Sequence, residues 1–376
     1  MLDLIAFLIF LIIIGIVIIK DRKNIKFQGL LLMRKTKRGK NIVDSIAKIR
    51  FMKKITKIAV IIGILGMIYS SFIISVTAYN IITGKTKLGA VILVPGPVSE
   101  AKFLPGMLVV PWYFWVIGIA SVIIFHELSH GIFSRIENIK VKSFGLFLFL
   151  IFPGAFCEPD EKQLKKSKPL TKIKIYSAGS FANLFIAFLS LLFAIIITFS
   201  FYEPYGIAYY GLINNSPAYH ANLSGIITEI NGVRIKSLQD LSNILEKISP
   251  GEEIMIKTTK GNFSLILTQH PKNETRSYIG IADPFVALEI KKDVKFLESF
   301  ISFIFSIFMW IYFLNLNIGL INLLPIKPLD GGLIFEEIVK NKIRKNGSFI
   351  TKAISIIFAG ILFFIVVYPI ILNIFK

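Results

Sequence analysis

His126-Glu127-Leu128-Ser129-His130 sets two imidazoles four residues apart with a carboxylate beside the first. A helix turns 100° per residue, so positions i and i+4 share a face and both rings can reach one ion, with Glu127 next to it. Such a grouping suits hydrolysis. A bound divalent metal lowers the pKa of water to about 7 and polarises a carbonyl, and a nearby carboxylate can take the proton and pass it to a leaving amine. The motif lies in an apolar run from Trp112 to about Ile132 that reads as membrane-spanning. Ionisable groups at bilayer depth cost roughly 2.5 to 3.5 kcal/mol each, so they seldom sit there without a partner and a task.

Two imidazoles leave a tetrahedral ion one protein ligand short, with an open position still to be kept for water. Asp330 is the candidate third ligand. It follows Asn322, Pro325 and Pro328 at the end of an apolar span and precedes Gly331-Gly332, a break that frees it to turn toward another helix. The alternative is that Asp330 caps the short helix beginning after Gly331, a position that favours Asp. Asn183 and Asn322 are candidate donors to a tetrahedral oxyanion. Either could equally serve as a hydrogen-bonding link between helices. His220 and His270 read as surface or loop residues. The single cysteine, Cys157, excludes an internal disulfide and a Cys-rich zinc site, and reads as a small buried hydrophobe.

These residues are carried by a polytopic α-helical membrane protein of about six transmembrane helices with a re-entrant segment. At 54% hydrophobic residues with 34 phenylalanines, the 376-residue chain exceeds what a soluble core needs. A net charge of +20 could suggest nucleic acid, but Lys and Arg crowd into loops beside apolar runs, as the positive-inside rule expects, so no nucleic-acid partner is expected. Residues 1–57 hold an uncleaved anchor, Leu2 to Ile19, and a stretch with fourteen Lys or Arg against Asp21 and Asp44, which reads as cytoplasmic.

Residues 58–202 form the first part of the membrane domain. They hold a span from Ile58 to Tyr79, an outer loop broken at Pro95-Gly96-Pro97 and Pro105-Gly106, the motif helix, and a span from Ile175 to Phe201. The apolar run Phe144 to Phe152 is half the length of a transmembrane helix and is expected to dip in and return, ended by Pro153-Gly154. Residues 203–295, where basic and acidic residues balance ten to ten, read as a separate domain outside the membrane. Residues 296–376 complete the membrane domain, with spans Phe296 to Leu324 and Ala353 to Ile374. Both termini then lie outside and the basic loops inside, in the plasma membrane if the source is prokaryotic.

Four pieces in this order, His126-Glu127-x-x-His130, Pro153-Gly154-Ala155-Phe156, Ala178-Gly179-Ser180-Phe181-Ala182-Asn183, and Asn322-x-x-Pro325 leading to Leu329-Asp330-Gly331, resemble the site-2 protease family of intramembrane zinc metalloproteases. The resemblance implies Zn2+ held by His126, His130 and Asp330, with Glu127 as acid/base. The implied enzyme is a metalloendopeptidase that cuts transmembrane protein substrates within or at the edge of the lipid bilayer, and the run after the motif would be a re-entrant strand or loop. Where the family often has Gly-Pro, this chain has Gly179-Ser180.

Ser216 to Leu223 and Ile226 to Ile235 resemble PDZ domains found in several membrane and envelope proteases, so the inserted domain is expected to be a small α+β PDZ-like unit. Asn231-Gly232 signals a two-residue hairpin and Ser237 to Ile248 an amphipathic helix. Strands near Glu253 to Lys257, Phe263 to Leu267 and Tyr278 to Ile281 would complete one small barrel. Its partner would be a peptide or chain terminus added to a sheet edge, unless it serves only as a spacer or lid. Two other classes of function remain open: a metal transporter, against which the few polar residues along the spans argue, and a silent scaffold, which would have little use for Glu127 beside the ligand pair.

Overall fold

The computed structural model describes residues 2–28, 31–36, 39–86, 89–104, 106–149, 152–271, 273–343 and 346–374. Pro105 of the expected Pro105-Gly106 break, and residues 150 and 151 of the short apolar run, lie outside the described residues. Among these residues six helices are long and apolar enough to cross a membrane: Leu2–Lys20, Met52–Ile82, Trp112–Ile136, Pro169–Phe201, Glu298–Asn322 and Gly347–Ile374. Ile12, Phe72, Phe188 and Phe363 stand exposed on them, as side chains facing lipid do. Several helices overrun the apolar cores by polar turns, because the hydropathy of a span marks the hydrocarbon and the hydrogen-bonded helix continues past it.

Met1–Phe193 with Ser306–Lys376 forms one compact unit and Ala194–Phe305 another. In the first unit the run after the motif helix is extended: Val141–Phe149 and Phe152–Pro159 pair as an antiparallel hairpin, with Phe144 opposite Cys157. Pro153-Gly154 does not end this run. Both residues lie inside the second strand, which tolerates proline because it is the edge of its sheet.

The basic segment also departs from a plain loop. Ile25–Gln28 and Leu31–Thr36 pair with one another, and the latter pairs with Val141–Phe149, giving a four-stranded antiparallel sheet. The short helix Lys40–Ala47 then docks on the motif helix through Arg135 Nε to Asp44 Oδ1 at 2.5 Å. Val43, Ala59, Ile132, Phe133, Ile136, Ile175 and Ala178 are buried together there, so a shared apolar core seats the motif helix against Pro169–Phe201.

In the second unit Asn231 and Gly232 turn at φ 47° and 78° between Ile227–Ile230 and Val233–Arg234, the positive angles that an Asn-Gly hairpin requires. Glu253–Thr258 alternates exposed and buried residues, and Ile207, Ile227, Ile230, Ile254 and Ile256 fill the core beneath. Ser237 caps Leu238–Leu245 in a reciprocal capping box with Asp240. The expected single barrel is replaced by a six-stranded sheet and two two-stranded ladders, and the strand placed at Tyr278 to Ile281 breaks into Asn273–Tyr278 and Ile281–Ala282. The break falls at Gly280, whose φ of 90° is outside the range of a strand.

Candidate metal centre

His126 and His130 project from the same face of the motif helix, as their spacing requires, and Asp330 reaches them from the first turn of Asp330–Lys342. His126 Nε2 lies 3.5 Å from Asp330 Oδ2 and His130 Nε2 lies 3.4 Å from Asp330 Oδ1. One ligand atom from each residue falls within 4.8 Å of the others. All three side chains are 11–13% exposed. Asp330 does not act as a helix cap: Leu329 holds the cap position and makes no side-chain capping bond. The helix can begin there because the chain folds back on itself. A side chain at Gly331 would run into the Leu323 carbonyl, so only glycine permits that approach.

Pro169–Phe201 supplies no ligand yet touches all three. His130 Nδ1 donates to the Ile175 carbonyl at 2.8 Å, and because a carbonyl can only accept, the ring proton sits on Nδ1. In the neutral ring the Nε2 lone pair then faces a carboxylate oxygen. Two acceptors turned toward each other at that distance repel unless a cation lies between them, and this is the donor set of a divalent metal. Asn183 Nδ2 lies 3.1 Å from His126 Nδ1, while its buried Oδ1 has no partner. Turning the amide by 180° would set Oδ1 on a His126 Nδ1–H, satisfy the orphaned oxygen and leave Nε2 as a ligand.

Space for an ion is present too. A Cβ at Gly179 would lie 2.5 Å from Nε2 of both histidines, so the glycine holds open a cradle that a methyl group would fill. Ser180 Oγ donates to Asp330 Oδ2 at 2.9 Å. The Gly179-Ser180 pair does not disturb its helix, which is continuous through both residues.

Glu127 borders the same cavity, of about 920 Å³, and its Oε2 accepts the Cys157 backbone N–H at 2.6 Å. Cys157 is half-buried and contributes its main chain here. Phe147, Ala155 and Phe156 form apolar wall, whereas Lys172, Glu336 and Glu337 line a polar part. Asn322 borders the cavity as well. Asn183 is fully buried behind His126 and does not line it. His220 and His270 take no part in the His-His-Asp group.

Sequence reasoning named the two histidines, Glu127 and Asp330, and quoted Gly179 and Ser180 within a family motif without a role at the centre, and it did not name Ile175 or the Cys157 amide. For Ile175 and Gly179 a signal existed, since they recur with Asn183 every fourth residue on one helical face, a row that does not include Ser180. A backbone amide leaves no such trace, because every residue except proline carries one.

The chain is 33% identical over 354 residues to an uncharacterized protein of Methanocaldococcus jannaschii, covering 92% of this chain and 88% of that one. It is 23% identical over 303 residues to a Clostridium perfringens protein named "Putative zinc metalloprotease", covering 62% of this chain and 89% of that one. The model of peptidase family M50 matches residues 114–367, a stretch that holds the whole His-His-Asp group and the Glu127 carboxylate. With six helices able to cross a membrane among the described residues, the chain is a multi-pass membrane protein that belongs to peptidase family M50, the site-2 protease family.

Proposed function

We propose that this protein is an intramembrane zinc metalloprotease that hydrolyses peptide bonds within or near the transmembrane helices of other membrane proteins. The observation that carries the reading is the convergence of His126, His130 and Asp330 within 4.8 Å, in a membrane-spanning helix and the turn facing it, beside Glu127. His126, His130 and Asp330 would hold the metal. Zinc, when bound, supplies the Lewis acidity that activates water near neutral pH and polarises a carbonyl. Glu127 takes the proton from the attacking water and delivers it to the leaving amine, while the Cys157 N–H anchors one carboxylate oxygen. Asn322 lines the cavity, which supports reading its side-chain amide as a donor to the developing oxyanion.

A helical substrate shields its peptide bonds by its own hydrogen bonds, so it must unwind before hydrolysis. The inserted domain is read as PDZ-like, screening substrates by the size of their external parts or holding a chain terminus, and it lies with both termini on the extracytoplasmic side. The test is incubation of the purified protein in detergent with model transmembrane helices, with and without a chelator, and mass spectrometry of the fragments. Chelator-sensitive cleavage within the apolar segment is expected. Cleavage that persists in metal-free protein would overturn the proposal.

A further inference from the structure

Pro169–Phe201 bears on the centre at Ile175, Gly179, Ser180 and Asn183, four residues of one face, and none of them is a ligand. We infer that Ser180 and Asn183 are positioning residues that set the coordination geometry, Ser180 through Asp330 and Asn183 through His126. The inference rests on the metalloprotease reading and concerns the metal site itself.

Each ligand has one contact that leaves little freedom. The Asp330 carboxylate stands between the rings with Oδ2 toward His126 and Oδ1 toward His130, and a carboxylate can rotate about its Cβ–Cγ bond and lose that arrangement. The Ser180 hydroxyl, fully buried, donates to Oδ2 and fixes the rotation. His126 has its Nδ1 against Asn183, also fully buried, and His130 has its Nδ1 against the Ile175 carbonyl. A hydrogen bond on the far nitrogen fixes both the tautomer and the plane of a ligating imidazole, and removing such a partner weakens metal binding by about 10–100-fold. One continuous helix therefore acts as a template: its residues 175, 180 and 183 register two histidines on one helix and an aspartate far later in the chain. Asn183 Nδ2 faces His126 Nδ1 while the buried Oδ1 has no partner, and with the amide turned Oδ1 accepts the Nδ1–H that a ligating His126 presents.

The experiment uses the full-length protein in detergent, loaded with Zn2+ or Co2+. Metal affinity is read by competition with a chelator, the d–d spectrum of the cobalt form reports ligand geometry, and thermal unfolding of the metal-free protein reports the fold. Ser180→Ala and Asn183→Leu are expected to bind about tenfold or more weakly, with an altered cobalt spectrum. Ser180→Thr, which keeps the hydroxyl, and Asn183→Asp, which keeps an acceptor for Nδ1–H, are expected to restore both readouts, a rescue that a merely structural role would not give. Unchanged affinity and spectrum in Ser180→Ala and Asn183→Leu would overturn the inference while leaving the protease reading intact. If Ser180→Ala or Asn183→Leu unfolds, the conservative pair decides: failure of Ser180→Thr and Asn183→Asp to match the wild-type spectrum overturns it equally. Absence of metal binding by the wild-type protein would instead be a failure of the metalloprotease reading.

Discussion

Single side chains divide into those that hold, those that react and those that make room. Under the proposed function, Glu127→Gln abolishes cleavage while zinc stays bound, because the amide keeps the shape and loses the base. His130→Ala and Asp330→Asn lose both zinc and activity. Metal analysis beside the cleavage assay separates the two outcomes, and cleavage by Glu127→Gln would remove the assigned base. Gly179→Ala tests the cradle. The added methyl would fall 2.5 Å from both Nε2 atoms, so the variant is expected to lose bound metal although it changes no ligand, and retention of full metal content would show that the ion lies elsewhere.

At the scale of elements, the same helix that touches every ligand is itself tied down. Lys172 pairs with Glu337 on Asp330–Lys342 at 3.1 Å, and Lys174 pairs with Glu137 just past the motif helix at 2.6 Å, all four side chains being 15–17% exposed. Removing one partner of a buried pair leaves an uncompensated charge at a cost of up to about 3–5 kcal/mol, whereas replacing both by apolar residues is often neutral. Glu337→Leu is therefore expected to lower the melting temperature in detergent by several degrees and Lys172→Met with Glu337→Leu to recover much of it; equal melting of the single variant and the wild type would deny the pair that role.

The hairpin carries a pH-sensitive counterpart. The bond from Lys35, then that from Ser143, holds the Glu158 carboxyl below its ordinary 4.5. A carboxyl with a depressed folded-state pKa contributes stability above its unfolded value and loses that contribution as pH falls through the folded one. Acid titration of stability below about pH 4.5 should accordingly be shallower in Lys35→Met than in the wild type. Identical acid profiles would mean that Lys35 contributes nothing to this linkage.

For the whole molecule, the proposal divides labour between a membrane unit that holds the chemistry and an inserted unit that selects what reaches it. The inserted unit has its own buried core of Ile207, Ile227, Ile230, Ile254, Ile256 and their neighbours, so it can be removed as a block. Deleting Tyr205 to Asp283 is expected to widen the range of external substrate sizes cleaved. An unchanged size limit, measured on model substrates with graded external domains, would take the screening role away from it.

Much of this protein was determined by residue type and spacing alone. The apolar runs were long enough to be recognised as spans because hydrocarbon demands about twenty apolar residues, and His126, Glu127 and His130 had to share a helical face because 3.6 residues make a turn. Asp330 was marked by its Pro and Gly surroundings. What only the tertiary structure decided was everything carried by the backbone or by contacts distant in sequence. The pairing of Leu31–Thr36 with Val141–Phe149, the Ile175 carbonyl on His130, the Cys157 amide on Glu127 and the Ser180 hydroxyl on Asp330 all depend on which segments meet. Local pattern reports how each segment folds, but main-chain donors and acceptors are the same at nearly every position, so their partners appear only once packing has brought the segments together.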